Sequence, residues 1–72
     1  MSNFDHGHIA TEGLVVEALP NAMFRVELPD NKNIIAYLSG KMRLNRIKVL
    51  IGDKVVLELD QYGNRGIITR RL

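Results

Sequence analysis

The sequence predicts an all-β domain, a small five-stranded barrel with a short helix between the third and fourth strands. Three observations support this. Apolar and polar residues alternate with period two in most apolar segments, turn-forming residues separate those segments, and one stretch after the third segment does not alternate. A chain of 72 residues can hold only one such domain. We place it at 9–72, after a flexible amino-terminal tail at 1–8.

The first two strands are predicted from this alternation and from β-branched residues. The first runs over about Ile9–Leu19, and Gly13 within it is a candidate for a bulge or bend that lets a long strand curl. The second covers Met23–Leu28, where every second residue is apolar, beginning with Phe24. That side of the strand is predicted to face the core, so Phe24 is assigned to the core rather than to a ligand-stacking surface.

The other three strands are predicted over about Asn33–Leu38, over Lys54–Leu59 and over about Gly66–Arg71. Of these, Lys54–Leu59 alternates as the second strand does, with Val55, Leu57 and Leu59 on one side. Turn-forming pairs separate the strands, at Pro20-Asn21, Pro29-Asp30, Gly52-Asp53 and Gly63-Asn64. Such short connections are typical of an antiparallel meander.

This order of elements indicates two possible barrels. Five short strands with a helical excursion after the third are typical of the oligonucleotide/oligosaccharide-binding (OB) barrel. A small SH3-like barrel has similar periodicity, so the alternation alone leaves both open.

Residues 39–50 break the alternation and are predicted to form a short, basic, exposed helix or loop. Ser39 is a candidate N-cap. On a helix Leu44 and Ile47 share one face, and Met42 points nearly the opposite way. We expect Met42 to face outward and to offer an apolar contact to a ligand.

The charges are distributed unevenly along the chain. Residues 1–40 carry two cations against five acids, a net −3, whereas residues 41–72 carry eight cations against three acids, a net +5. Four of these cations fall within eight residues, at Lys41, Arg43, Arg46 and Lys48. Guanidinium groups bind phosphates bidentately, and a polyanion would relieve the repulsion among these cations. This segment, with Met42, is therefore the predicted nucleic-acid contact, extended by Arg65, Arg70 and Arg71; an ordinary solvated basic surface is the alternative.

Catalytic and metal-dependent functions have little support in the sequence. Neither Ser2 nor Ser39 has a histidine in a recognisable arrangement, and there is no glycine-rich phosphate loop. His6 and His8 supply two ligands where a structural zinc site needs four, so we expect no metal and no cofactor. There is no cysteine, no secretion signal and no apolar run of about 20 residues, so we expect a cytoplasmic protein without a membrane partner.

The aromatic residues limit the kind of nucleic acid that is predicted. Single-strand binders present several stacking rings, whereas this chain has two phenylalanines and two tyrosines. Tyr37 and Tyr62 can either stack on bases or lie half-buried at a barrel rim. We therefore expect recognition of a folded RNA through its backbone and shape.

Several ordered motifs resemble those of the bacterial translation initiation factor one family. The matching segments are Leu19-Pro20-Asn21-Ala22-Met23-Phe24-Arg25-Val26-Glu27-Leu28, Ser39-Gly40-Lys41-Met42-Arg43, Gly52-Asp53-Lys54-Val55 and Glu58-Leu59. The resemblance covers about Glu12 to Leu72. It implies an OB barrel with a short helix after strand three.

The resemblance also implies a function. Members of the family have no catalytic activity, bind the small ribosomal subunit at the aminoacyl-tRNA site, and contact ribosomal RNA and a neighbouring ribosomal protein. They cooperate with initiation factors two and three in initiator-tRNA selection and subunit joining. We expect this chain to do the same and to be a monomer when free.

The same resemblance assigns site residues. The RNA-contacting residues carried over are Lys41, Met42 and Arg43 with Arg46 and Lys48 beside them, Arg25, Tyr37 (where many members have histidine), Tyr62 and the closing Arg71. The carboxy-terminal end departs from the family pattern, because the turn after Tyr62 is one residue shorter and Ile67 replaces an arginine. The missing cation is expected at Arg70 instead.

Two alternatives belong to other functional classes. A cold-shock-like binder of single-stranded RNA would prefer isolated oligonucleotides to the subunit. A protein-interaction barrel would bind with little dependence on salt, because phosphate binding releases counterions and apolar contact does not.

Overall fold

The computed structural model describes residues 9–60 and 65–72. They form five strands and one short helix: β1 (Ile9–Leu19), β2 (Met23–Glu27), β3 (Asn33–Leu38), α1 (Gly40–Leu44), β4 (Lys54–Leu59) and β5 (Arg65–Arg71). The predicted bounds of the first, third and fourth strands are confirmed, β2 ends one residue earlier than predicted, and β5 begins one residue earlier. The predicted tail at 1–8, with His6 and His8, and the turn at Gly63-Asn64 lie outside the described residues.

The five strands close into a barrel in the order β1-β2-β3-β5-β4. Four of the neighbouring pairs are antiparallel, and β3 and β5 are parallel. A parallel pair needs a long crossover connection, and here it runs through α1 and β4. The meander expectation is therefore wrong for the β3–β5 pair. The strand order, with a helix after the third strand, is that of the OB barrel, so the predicted fold class is confirmed.

β1 is long enough to pair with two strands in turn. Its first half, up to Leu14, pairs with β4, and its second half pairs with β2. The register between β1 and β2 shifts between Val15 and Glu17, so the extra residue of the bulge is Val16. Gly13 was predicted to mark a bulge or a bend, and the bulge lies three residues further along the strand.

Gly13 instead marks a close approach between strands. A Cβ built at this position would overlap the side chain of Val26 and come within 3.2 Å of Leu57. Val26 and Leu57 are both fully buried. The glycine is required because the interior of this narrow barrel has no room for a methyl group at that point.

The core contains the residues that the alternation placed on one side of the second and fourth strands, together with residues of the other strands. The buried apolar residues are Val15, Phe24, Val26, Leu28, Ile34, Ala36, Met42, Val49, Val55, Leu57 and Ile68. The predicted burial of Phe24 is confirmed. Two of the eleven, Met42 and Val49, come from the segment between β3 and β4. That segment therefore packs on the barrel.

The only helix found in the described part of the chain is α1, which has five residues and cannot span a membrane.

Candidate nucleic-acid interface

α1 is capped by Ser39 and is held on the barrel by two contacts around its first turn. The Ser39 hydroxyl accepts a hydrogen bond from the Met42 amide at 3.2 Å, as expected for an N-cap. The Ser39 amide donates to the carbonyl of Ile68 in β5 at 2.9 Å. The Met42 side chain is only 2% exposed. Because a five-residue helix has no stability of its own, these contacts position it.

The predicted outward orientation of Met42 is wrong. Met42 points into the core, and Leu44 is the residue that faces solvent, at 85% exposed. The two residues point in opposite directions, as the helical spacing predicted, but the inner face is the other one. The reason is tertiary: the connection from β3 places the Met42 side of α1 against the barrel. Met42 is therefore a core residue that anchors the segment.

The four cations of the segment are all exposed. Lys41 and Arg43 lie on α1, and Arg46 and Lys48 follow it. None of the four forms an ion pair with any residue in the ranges 9–60 and 65–72. Arg46 has a φ of 54°, a left-handed conformation that turns the chain sharply after the helix C-cap at Asn45. We call residues 40–51 the basic segment.

The basic segment ends in a tight turn fixed to β1. The Asp53 carboxylate accepts a hydrogen bond from the Leu50 amide at 2.8 Å, and the Asp53 amide donates to the Leu50 carbonyl at 3.0 Å. Gly52 has a φ of 95°, which suits the third position of such a turn. The amide and carbonyl of Val15, beside the bulge in β1, bond to Asp53 and Gly52. The end of the segment is therefore bound to the barrel wall.

The basic segment also carries exposed apolar side chains. Leu50 and Ile51, at the tip of the turn, are 61% and 64% exposed, and Leu44 is more exposed still. Beside them lies a groove of about 600 Å³ with Phe24 and Leu38 in its lining and three of the segment's cations along it. A surface with apolar and cationic groups so closely mixed is suited to a partner that has both phosphates and less polar parts. Sequence reasoning did not select Leu50 and Ile51. Their position next to the turn-forming pair Gly52-Asp53 was the signal that could have indicated their exposure.

The carboxy-terminal end of β5 lies next to the basic segment. Arg71 donates from Nη1 to the carbonyl of Lys48 at 3.1 Å. Arg70 is exposed and lies opposite Val56 of β4. Lys54, which the sequence analysis did not select, joins this region because its carbonyl accepts the amide of Leu72. The structure therefore brings Arg71 to the basic segment, where it contacts backbone, and places Arg70 next to it on the strand, opposite Val56.

Arg25 lies on a different part of the surface. It is on the outer side of β2, opposite Glu17 of β1 and Ile35 of β3. Its Nε donates to Glu17 Oε1 at 2.8 Å, with the two side chains 43% and 52% exposed. An exposed pair of this kind is worth less than about 1 kcal/mol, so a phosphate can compete with the carboxylate. The structure does not group Arg25 with the basic segment.

Tyr37 and Arg65 lie on the outer side of β3 and β5. Tyr37 is half-buried, opposite Ile67 of β5. With Arg65 it lines a small groove of about 220 Å³ that also contains Glu58 and Asp60. The carboxylates make this groove less attractive to phosphate than the basic segment. Tyr62, the other tyrosine predicted to stack on bases or to lie at the rim, lies outside the described residues.

The family comparison is decisive for the class of protein. The family model for "Translation initiation factor 1A / IF-1" matches residues 3–72, which is nearly the whole chain. The chain belongs to this family. The predicted resemblance is thereby confirmed, and with it the coarse function: the protein is a translation initiation factor.

Solved structures agree with this assignment. Translation initiation factor one from the Wolbachia endosymbiont strain TRS of Brugia malayi is similar over 99% of this chain and 85% of its own, with 38% identity and a TM-score of 0.78.

Two larger proteins contain a similar barrel. YjeQ from Thermotoga maritima matches 89% of this chain at 34% identity, and YloQ, a circularly permuted GTPase, matches 99% at 26% identity, each with a TM-score of 0.75. This chain covers 23% and 25% of those two proteins. The likeness therefore concerns one part of each of them, and no GTPase activity follows from it for this initiation factor.

Proposed function

We propose that this initiation factor binds the small ribosomal subunit at the aminoacyl-tRNA site, and that the basic segment contacts ribosomal RNA there. By occupying the site it keeps elongator tRNA out, and it acts without catalysis. It cooperates with initiation factors two and three in initiator-tRNA selection and subunit joining.

The observation that carries the proposal is the set of unpaired cations on an anchored segment. Lys41, Arg43, Arg46 and Lys48 are exposed and lack ion-pair partners within the described residues. The backbone of the basic segment is anchored near one end by buried Met42 and at the other end by the turn at 50–53. A cation that is already positioned loses little conformational entropy when it meets a phosphate, so each contact retains more of its free energy.

The distribution of acids supports one direction of approach. Glu12, Glu17 and Glu27 lie on the outer side of β1 and β2, whereas α1 packs against β5. A polyanion is attracted by the basic segment and repelled by these carboxylates. The factor would therefore approach RNA with its basic segment facing the RNA.

The exposed apolar residues support a contact with a less polar partner surface beside the phosphates. Leu44, Leu50 and Ile51 are exposed on the same segment as the cations, and a phosphate backbone alone would leave them uncovered. A ribosomal protein beside the RNA, or the ribose and base edges of the RNA, would cover them. The family resemblance favours both contacts at once.

The test is co-sedimentation of the factor with purified small subunits across a salt series. The variant Lys41→Ala/Arg43→Ala/Arg46→Ala removes three cations of the segment, and Lys32→Ala, in the turn between β2 and β3, is the control. Each phosphate contact contributes about 0.7–0.9 to the slope of log affinity against log salt. We expect the triple variant to bind more weakly with a slope smaller by about 2–3, and Lys32→Ala to bind as the native protein does.

Three further outcomes would change the proposal. Absence of binding by the native factor at low salt would refute it. Stronger binding to isolated oligonucleotides than to the subunit would support a cold-shock-like binder, and binding that does not depend on salt would support a protein-interaction barrel.

Chemical footprinting of the subunit's RNA, with and without aminoacyl-site tRNA, then tests the location. Binding measured with and without factors two and three tests cooperation.

A further inference from the structure

The middle of the basic segment has little hydrogen bonding to the barrel. The amides of Asn45, Arg46 and Ile47 donate to carbonyls of α1 itself. Across the described residues, one hydrogen bond joins the stretch 45–49 to a strand, the bond from Arg71 Nη1 to the carbonyl of Lys48. This stretch holds two of the segment's four cations.

A bulge in β5 directs Arg71 toward this carbonyl. The register between β4 and β5 shifts between Val56 and Leu57, so that Thr69 is the extra residue and Arg71 pairs with Val55. Cross-strand partners point to the same side of a sheet, and Val55 is fully buried. Arg71 therefore leaves the strand on the side of Val55, at the barrel end that the basic segment covers, and its side chain remains exposed. Without the bulge, Arg70 would occupy that place.

We infer that Arg71 is a positioning residue: its guanidinium braces the backbone at Lys48 and so holds the cations of the basic segment in a fixed array. Its part in RNA binding rests on the proposed function. The planar guanidinium is suited to this role, since its donors point in fixed directions. A donor directed at a carbonyl releases no counterion from RNA. Arg71 thus contributes through the segment's order, whereas Arg43 and Arg46 contribute through phosphate contacts.

The first test uses the free factor and needs no RNA. Amide hydrogen exchange is measured in the native protein, in Arg71→Ala and in Arg70→Ala, which removes the same charge from the adjacent position. We expect Arg71→Ala to speed exchange at Ile47 and Leu50 by about threefold to tenfold, the equivalent of one hydrogen bond. The amide of Val26 serves as the reference for global unfolding, and its exchange is expected to change less. Unchanged exchange in the segment, or an equal increase in Arg70→Ala, would overturn the inference.

The second test separates bracing from phosphate contact. In the salt series with small subunits, Arg71→Ala is expected to bind about threefold to tenfold more weakly at every salt concentration, with the native slope. Arg43→Ala is expected to lower the slope by about 0.7–0.9. An equal fall in slope for Arg71→Ala would show that Arg71 contacts phosphate, and the inference would be wrong while the proposed function stood. If the native factor did not bind subunits, the proposed function would fail, and the exchange experiment would still decide whether the brace exists.

Discussion

Replacement of Met42 by alanine separates the anchoring role found here from the ligand contact that the sequence suggested. Met42 is 2% exposed and lies beneath the basic segment. Burial of its side chain is worth about 1.5–3 kcal/mol by transfer free energy, and a cavity left by truncation adds to that cost. Because α1 is a single turn at the end of the barrel, it can partly collapse into the space. We therefore expect Met42→Ala to lower the free energy of unfolding by about 2–3 kcal/mol.

This loss is large for so small a domain. A chain of 72 residues has a total stability of about 4–11 kcal/mol, and each kcal/mol shifts its Tm by about 4–8 °C. The Tm of Met42→Ala should fall by about 8–24 °C. Urea denaturation followed by circular dichroism measures the change directly, with a lower midpoint and a similar slope m expected. Met42→Leu, which roughly conserves volume, should lose less than about 1.5 kcal/mol.

The neighbouring residue provides the matched comparison. Arg43 is exposed and unpaired in the described structure, so Arg43→Ala should keep its stability within about 0.5 kcal/mol of native and should lose affinity for the subunit. The opposite pattern for Met42→Ala, native stability with lost affinity, would refute the reasoning. It would mean that Met42 meets the RNA and that the anchoring role is wrong.

Three other substitutions test the barrel and its surface. Gly13→Ala should destabilise the fold by about 1–3 kcal/mol, because its methyl group would overlap buried side chains. Gly40→Ala is the control and should change stability by less than about 0.5 kcal/mol, because nothing lies within 4 Å of a Cβ there. Equal urea midpoints for the two variants would contradict this prediction. Gly52→Ala should cost about 1–3 kcal/mol through backbone strain alone, since its φ is 95° and the space around it is open; a thermal melt like that of the native protein would count against the turn described here. Glu17→Gln should change stability by less than about 1 kcal/mol and, by freeing Arg25, raise affinity for the subunit at low salt; unchanged affinity would remove Arg25 from the interface.

The candidate site was predicted from sequence to the extent that it depends on charge. Four cations within eight residues form a locally basic segment in any fold, and the structure leaves them exposed and unpaired among the described residues. The orientation of Met42 was not predictable in the same way. A single helical turn shows which residues point in opposite directions, and only the position of the barrel shows which of them is buried.

The role of Arg71 illustrates the same limit. Its charge predicts an RNA contact, and its hydrogen bond to the Lys48 carbonyl is the basis of the positioning role proposed above. The bulge at Thr69 decides this, because it exchanges the places of Arg70 and Arg71 on the strand. Nothing in the run Thr69-Arg70-Arg71 by itself indicates which arginine is turned inward.

The sequence by itself determined the five strands, the turns within the described residues, the core-facing side of β2 and β4 and the basic half of the chain. These features depend on neighbouring residues, since a period of two and a turn-forming pair are local properties. Only the tertiary structure decided the parallel pairing of β3 with β5, the bulges at Val16 and Thr69, and the face of α1 that is buried. Each of these depends on residues distant in the chain that must fit together inside a narrow closed barrel, where even the methyl group of an alanine at Gly13 would not fit.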